Sequence, residues 1–441
     1  MRKGNGNNMK RFVIILLIAC LLLGCGVGFL VAREGAKDPG EPVALYDPEN
    51  IAEPELPEES EAPLGTEALA QRRTIDFEAI RALYPMEEVI GDVDGRDVTW
   101  EEYFYWLGDM GTQAQSYIDM LALYGQSLDW EDKYSSESED SFAQYVVRMA
   151  QDCVRQMSVV EAVAEENGVT LSEEDKAKIA EQHLQNVAAT CGEGASEEDF
   201  NAYLEENYIT RGIYDRLNAL SYLFTNTNDA LFGKNGAEIS DEDAIAYLAD
   251  KGYLCANYIL FLTVDLENYE DGAYKALDED VVAQKLQQAE TLSAELRAID
   301  DPAARAARFA ELKEQYCEDA DKASYPEGWL FVPGSGTVSG EVEEGVAALA
   351  EYEVSAPIES SVGYFVLMRM PLNADMIIQY SDDNEPVNAR CVVADTRYGE
   401  LMSGRIEGSV LTLRDASSIS RGMDFTKPVN IKTASPAPKP R

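Results

Sequence analysis

Leu254–Val264, LCANYILFLTV, is an apolar run preceded by Gly252 and flanked by charge, the composition of a buried β-strand. Working outward from it, Asp280–Ile299 and Pro302–Tyr316 read as two helices, with Asp301-Pro302 as the break between them. The turn-rich stretch EDADKASYPEG then leads to a short strand at Trp329–Val332. Gly/Ser-rich sequence follows, then a helix near Val342–Glu351 and a closing strand at Gly363–Met370. The order β-α-α-β-α-β predicts a compact α+β domain over residues 251–371.

Residues 86–250 read differently, as a helical domain with a strand-like entry. VIGDVDGRDVTWEEY holds a short apolar run, a turn at Asp94-Gly95, and Thr99-x-x-Glu102, a capping-box pattern ahead of an aromatic helix. Phe142, Tyr145, Val146, Met149, Cys153, Val160 and Val163 recur at helical spacing, and Asn167-Gly168 supplies a stop. Ser172-x-x-Asp175, Ser196-x-x-Asp199 and Ser240-x-x-Asp243 announce three more helices by the same capping logic, and another is expected over Thr210–Leu231. Residues 372–432 read as an extension with a helix at about Val387–Ile406, and residues 433–441 as a disordered tail.

The N-terminus carries the membrane signal. Residues 1–11 form a basic end (Arg2, Lys3, Lys10, Arg11), and Phe12–Ala32 contains no charged residue. A helix of roughly 20 apolar residues spans a bilayer. The positive flank keeps the N-terminus in the cytoplasm and sends the body outside, as a single-pass protein of the cell membrane. An alternative lies in the same run: Leu22-Leu23-Gly24-Cys25 has the form of a lipoprotein signal, with Cys25 as the lipidated residue. The apolar sequence continues beyond Cys25 through Ala32, which favours the uncleaved span, since a signal h-region is only about 7–15 residues. Residues 33–85, rich in Glu, Pro and Ala, read as an acidic stalk, helical around Ile75–Leu83.

Composition excludes several functions. With 36 basic and 81 acidic residues and a formal net charge of −45, the chain is no nucleic-acid binder. Its seven cysteines form no CxxC and no disulfide framework, and two of them lie in the anchor. The single histidine, His183, rules out multi-histidine zinc sites, and its EQHLQ setting reads as a solvated helix face. Asp92-x-Asp94-Gly95-x-Asp97 is carboxylate-rich, but Gly95 is misplaced for a calcium loop, so neither metal nor cofactor is expected.

The domain from Tyr253 to Pro371 resembles the parvulins, a family of peptidyl-prolyl isomerases. Ala256-Asn257-Tyr258-Ile259-Leu260 falls at their opening strand. Phe309-Ala310-Glu311-Leu312 and Tyr316-Cys317-Glu318-Asp319 fall at the second helix and its end. Gly328-Trp329 sits at the glycine-rich segment, and Gly363-Tyr364-Phe365-Val366-Leu367 at the closing strand. Upstream, VIGDVDGRDVTWEEY resembles the entry to the chaperone domain of PrsA- and SurA-type foldases.

The resemblance implies catalytic positions at Tyr258, Phe365 and Asp319. Substrate-binding positions follow at Val338, Val342, Trp329 and Phe331. Catalytic parvulins carry histidines where this chain has Tyr258 and Phe365; only Asp319 keeps a family catalytic residue type. Tyr258 accordingly reads as a core aromatic, Phe365 as packing or client contact, Asp319 as a turn former, and Cys317 as a small buried residue. The resemblance further implies unfolded, newly exported polypeptides as partners and a homodimer. It predicts a membrane-anchored folding factor with isomerase activity weakened or lost. The alternatives are an active isomerase and an envelope assembly partner that has borrowed the fold.

Overall fold

The computed structural model describes residues 73–123, 128–135, 138–270, 273–325, 328–380, 386–414 and 426–428. The expected span Phe12–Ala32, Cys25, residues 33–72 of the stalk and the 433–441 tail lie outside them. Among the described residues no helix is long and apolar enough to cross a membrane. The chain divides into two compact units, one running to Leu231 and resuming at Tyr398, the other spanning Phe232–Arg397. The division therefore falls earlier than the 250/251 boundary read from the sequence, and much of the expected 372–432 extension belongs to one unit or the other.

The first unit opens with β1 (Arg73–Ile75) and α1 (Phe77–Arg81), so the last part of the expected stalk is folded. Ile75 and Ile80 are buried, and the Asp76 carboxylate caps α1 by accepting from Ala79 N at 3.2 Å. β2 (Val89–Val93) and β3 (Arg96–Thr99) form the expected hairpin. Its turn residues Asp94 and Gly95 sit at φ 51° and 87°, the left-handed pair of a type I′ turn. The Asp92 carboxylate is spent in this turn, accepting from Gly95 N at 2.9 Å. A third strand, β12 (Leu411–Leu413), pairs antiparallel with β2. β13 (Thr426–Pro428) pairs with β1 in the same sense.

The helices α2 (Trp100–Leu123), α3 (Phe142–Glu166), α4 (Glu173–Cys191), α5 (Glu197–Glu206) and α6 (Arg211–Phe232) follow in the unit, the last ending at the unit boundary. Ser172 and Ser196 cap α4 and α5 with reciprocal capping boxes, as their spacing predicts. α2 and α3 bury Trp100, Tyr103, Trp106, Val146 and Met157. The Trp106 indole N–H donates to the Met157 sulfur at 2.9 Å. Glu102 is 2% exposed and is held by Arg216 of α6 at 2.6 Å, and Arg216 also grips Glu161 of α3. Buried charges persist only when paired, so this bridge fixes how the three helices pack.

The second unit starts with α7 (Asp241–Asp250), capped by Ser240. β4 (Leu254–Leu262) follows and is buried along almost its whole length. It lies inside a four-stranded antiparallel sheet of order β7-β4-β9-β8, formed with β7 (Trp329–Phe331), β8 (Ile358–Glu359) and β9 (Gly363–Met370). A strand with neighbours on both sides and layers on both faces has no solvated face, which is why its sequence lacks alternation. α8 (Glu279–Arg297), α9 (Pro302–Tyr316) and α10 (Gly340–Ala347) supply the helices of the expected β-α-α-β-α-β order. The pairing of β5 (Val264–Glu270) with β6 (Ala273–Ala276), between β4 and α8, was not foreseen. A second, smaller core holds Cys255, Leu248, Met376 and Val393. It joins α7 to β10 (Ile377–Tyr380) and the start of α11 (Ala389–Gly408), and β11 (Pro386–Asn388) pairs antiparallel with β10.

Candidate functional site

The sheet register brings Tyr258, Phe365 and Trp329 together. Tyr258 pairs with Leu367 and Phe365 with Leu260, so Tyr258 and Phe365 are diagonal neighbours on one face. Ala256 pairs with Trp329, which puts Trp329 diagonal to Tyr258 on that same face. The rings meet accordingly. Tyr258 and Trp329 stack with centroids 3.6 Å apart and planes 11° from parallel, and Phe365 stands edge-on to both, at 6.2 and 5.8 Å. Tyr258 is wholly buried and Phe365 is 6% exposed, while Trp329 is half-buried and covers the stack.

Gly328 makes this cover possible. Its φ is +100°, and a Cβ there would stand 2.1 Å from the Ala256 carbonyl oxygen. Only glycine lets the chain turn into β7 so close to β4.

Beyond Ala256 the β7 side of β4 is open, and the segment after α9 closes it. Glu318 N donates to Leu260 O at 2.9 Å, the Glu318 carboxylate accepts from Leu262 N at 2.8 Å, and the Cys317 sulfur accepts from Leu260 N at 3.4 Å. This edge closure carries Asp319 to the Tyr258 hydroxyl, which donates to Asp319 Oδ2 at 2.5 Å. Asp319 Oδ1 accepts from Asp321 N at 2.9 Å, the turn-forming role the sequence suggests. Burial, reinforced by the adjacent Asp319 carboxylate, pushes the Tyr258 hydroxyl well above the ordinary tyrosine range. The phenol is therefore a fixed neutral donor.

Sequence reasoning missed Lys313. It is 6% exposed, and its ammonium donates to Asn257 Oδ1 at 2.8 Å and to Tyr325 O at 2.6 Å, lying 4.6 Å from the Tyr258 ring centroid. Burial lowers its pKa, opposed by Cys317 and Asp319. The available signal was positional: Lys313 stands one helical turn after Phe309, on the face of α9 that enters the core. Of the expected substrate-binding positions, Phe331 and Val342 are core residues at 2% and 1% exposure, and Val338 packs against that core. Cys317 is buried, as expected of a small core residue.

His183 departs from its reading as a solvated residue. Its side chain is 12% exposed, with Nε2 2.6 Å from Glu197 Oε1 and Nδ1 3.3 Å from the Tyr214 hydroxyl. It serves as a link among α4, α5 and α6. Among the described residues no cluster of His, Cys, Asp and Glu is arranged to hold a metal ion.

No family model matches the chain, and no curated protein matches it. Comparison with solved structures returns PrsA- and SurA-type foldases, the proteins its motifs resemble. PrsA from Bacillus subtilis is 14% identical, covering 76% of this chain and 98% of that one, with a TM-score of 0.21. Foldase protein PrsA from Streptococcus pneumoniae is 18% identical over 63% of this chain and 91% of that one, at 0.20. A SurA-like chaperone of Campylobacter jejuni is 12% identical over 73% and 92%, at 0.21.

Proposed function

We propose that this chain is a membrane-anchored, extracytoplasmic folding factor that binds unfolded exported polypeptides through its helical and parvulin-like units, without working isomerase chemistry. The observation that carries the reading is the Tyr258–Trp329–Phe365 stack. It occupies the two histidine positions of the parvulin pattern, within a unit whose strands and helices bear that pattern's motifs in order.

Prolyl isomerisation breaks no bond; it lowers a rotational barrier of about 18–20 kcal/mol by holding the amide out of planarity. That requires an apolar seat for the proline ring and a polar network beside it. Here the seat is filled by packed aromatic side chains, and the Tyr258 hydroxyl is committed to Asp319. Retained fold motifs and a filled site support client binding over catalysis. Anchoring through Phe12–Ala32, or through lipid on Cys25, would place the body where exported chains emerge, and a homodimer belongs to the same proposal.

The test sets two activities of one preparation side by side. The proposal expects suppression of aggregation of a reduced, unfolding client, with no acceleration of Xaa-Pro isomerisation. If neither occurs and the chain instead co-purifies stoichiometrically with one envelope component, the assembly-partner reading replaces it.

A further inference from the structure

Three helices of the chain end in the same hydrogen-bonded closure, and one breaks its rule. α3 ends with Gly168 N donating to Glu165 O and Val169 N to Ala164 O, with Gly168 at φ 67°. α7 ends alike, with Gly252 N to Ala249 O, Tyr253 N to Leu248 O, and Gly252 at φ 76°. α5 repeats the pattern, Tyr208 N to Glu205 O and Ile209 N to Leu204 O, but the residue at φ 60° is Tyr208. Glycine is the default at this left-handed position, and a bulky side chain is disfavoured there. A tyrosine held against that preference points to a use for its ring.

The ring is accounted for in detail. It stacks on Phe77 at 4.7 Å and 10°, meets Phe104 edge-on at 6.5 Å, and its hydroxyl donates to Glu78 at 3.0 Å. Together with Met86, Phe104, Leu204 and Ile209 it lines a pocket of about 240 Å³ in the first unit. That lies below the roughly 300–1,000 Å³ of small-molecule sites and suits one side chain of a larger ligand. Three charged residues also line it. Arg211 is spent on Glu197 and Asp215, each at 2.8 Å. Arg81 and Glu205 line the same pocket with no ion-pair partner among the described residues, and they are not paired with each other. Among the described residues the pocket thus offers an apolar seat, one cation and one anion outside any ion pair.

We propose that this pocket takes an apolar side chain of an extended polypeptide whose flanking residues carry opposite charges, the acidic one meeting Arg81 and the basic one meeting Glu205. This deepens the reading of the chain as a polypeptide binder and rests on it, giving that binder a sequence preference and a location in the first unit.

The test measures fluorescence anisotropy of fluorescein-labelled, amidated peptides, Gly-Asp-Phe-Lys-Gly and Gly-Lys-Phe-Asp-Gly, against Gly-Asn-Phe-Gln-Gly, on the full-length chain. At least one charged peptide is expected to bind roughly tenfold tighter than the neutral one, the scale of one charge-assisted contact. Arg81→Glu should abolish that preference. Tyr208→Gly suits the backbone and removes the ring, so it should weaken all peptides alike. Equal binding of charged and neutral peptides overturns the proposal, as does binding unmoved by both variants. Client-aggregation suppression, read on the same preparations, separates the two levels. If the wild-type chain protects a client but fails the peptide test, the pocket assignment alone falls; if it does neither, the binder reading falls with it.

Discussion

Tyr258→Phe isolates the one polar link at the centre of the aromatic stack. The change keeps the ring between Trp329 and Phe365 and deletes only the hydroxyl that donates to Asp319 at 2.5 Å. A hydrogen bond to a charged group contributes about 1.5–3 kcal/mol net. Asp319 is half-buried and keeps its bond from Asp321 N, so its vacated oxygen can take up water. The cost should therefore fall at the lower end, about 1.5–2 kcal/mol.

With a urea slope of roughly 1–3 kcal/mol/M, the midpoint of the second unit should drop by about 0.5–2 M. The chain has four tryptophans, at 100, 106, 130 and 329, and only Trp329 lies in the second unit. Fluorotryptophan NMR therefore reads that unit's unfolding separately. The pH dependence has a definite sign. The folded-state pKa of Tyr258 is raised, so its contribution is fully present below the unfolded value of about 10 and is lost as pH rises above it. Tyr258→Phe should lack that alkaline loss. An unchanged Trp329 midpoint at pH 7, with an unaltered alkaline slope, would refute the claim that the hydroxyl is structurally committed.

Two further perturbations follow from the same reasoning. Burial raises Asp109 on α2 to about 6, so the folded state holds a proton that the unfolded chain releases near pH 4. The contribution of Asp109 to stability should be fully present below pH 4 and be lost through pH 6, by up to about 3 kcal/mol, and Asp109→Asn should remove that component from thermal melts across pH 4–8. Gly328→Ala forces a Cβ against the Ala256 carbonyl at positive φ and should cost roughly 2 kcal/mol or more, seen as an earlier urea midpoint for Trp329.

Much of the fold was legible because it is written locally. The unbroken apolar run of β4, the serine caps at Ser172, Ser196 and Ser240, and the Asp94-Gly95 turn each act within a few residues, and each stands where its sequence predicts. What escaped is long-range. Nothing near Leu411–Leu413 says that it will pair with β2, more than 300 residues earlier, and tie the C-terminal sequence into the first unit. The β5–β6 hairpin was hidden because Leu266, Tyr269 and Tyr274 are exposed, so burial imposes no alternation on it. His183 read as solvated because its partners, Glu197 and Tyr214, arrive from two other helices. The family resemblance pointed to Tyr258, Phe365 and Asp319, which the fold brings together, whereas nothing pointed to Lys313, since its contacts depend on Asn257 and the Tyr325 carbonyl.

The most direct measurement for the account is the rate of cis-to-trans conversion of a Xaa-Pro tetrapeptide in the presence of the full-length chain. With aromatic rings standing where catalytic parvulins carry histidines, the rate should stay at the uncatalysed value, unchanged by Asp319→Ala, in a preparation that still keeps a reduced client from aggregating. A rate that rises in proportion to protein concentration and collapses in Asp319→Ala would contradict it, and would make the Tyr258–Asp319 pair a catalytic one.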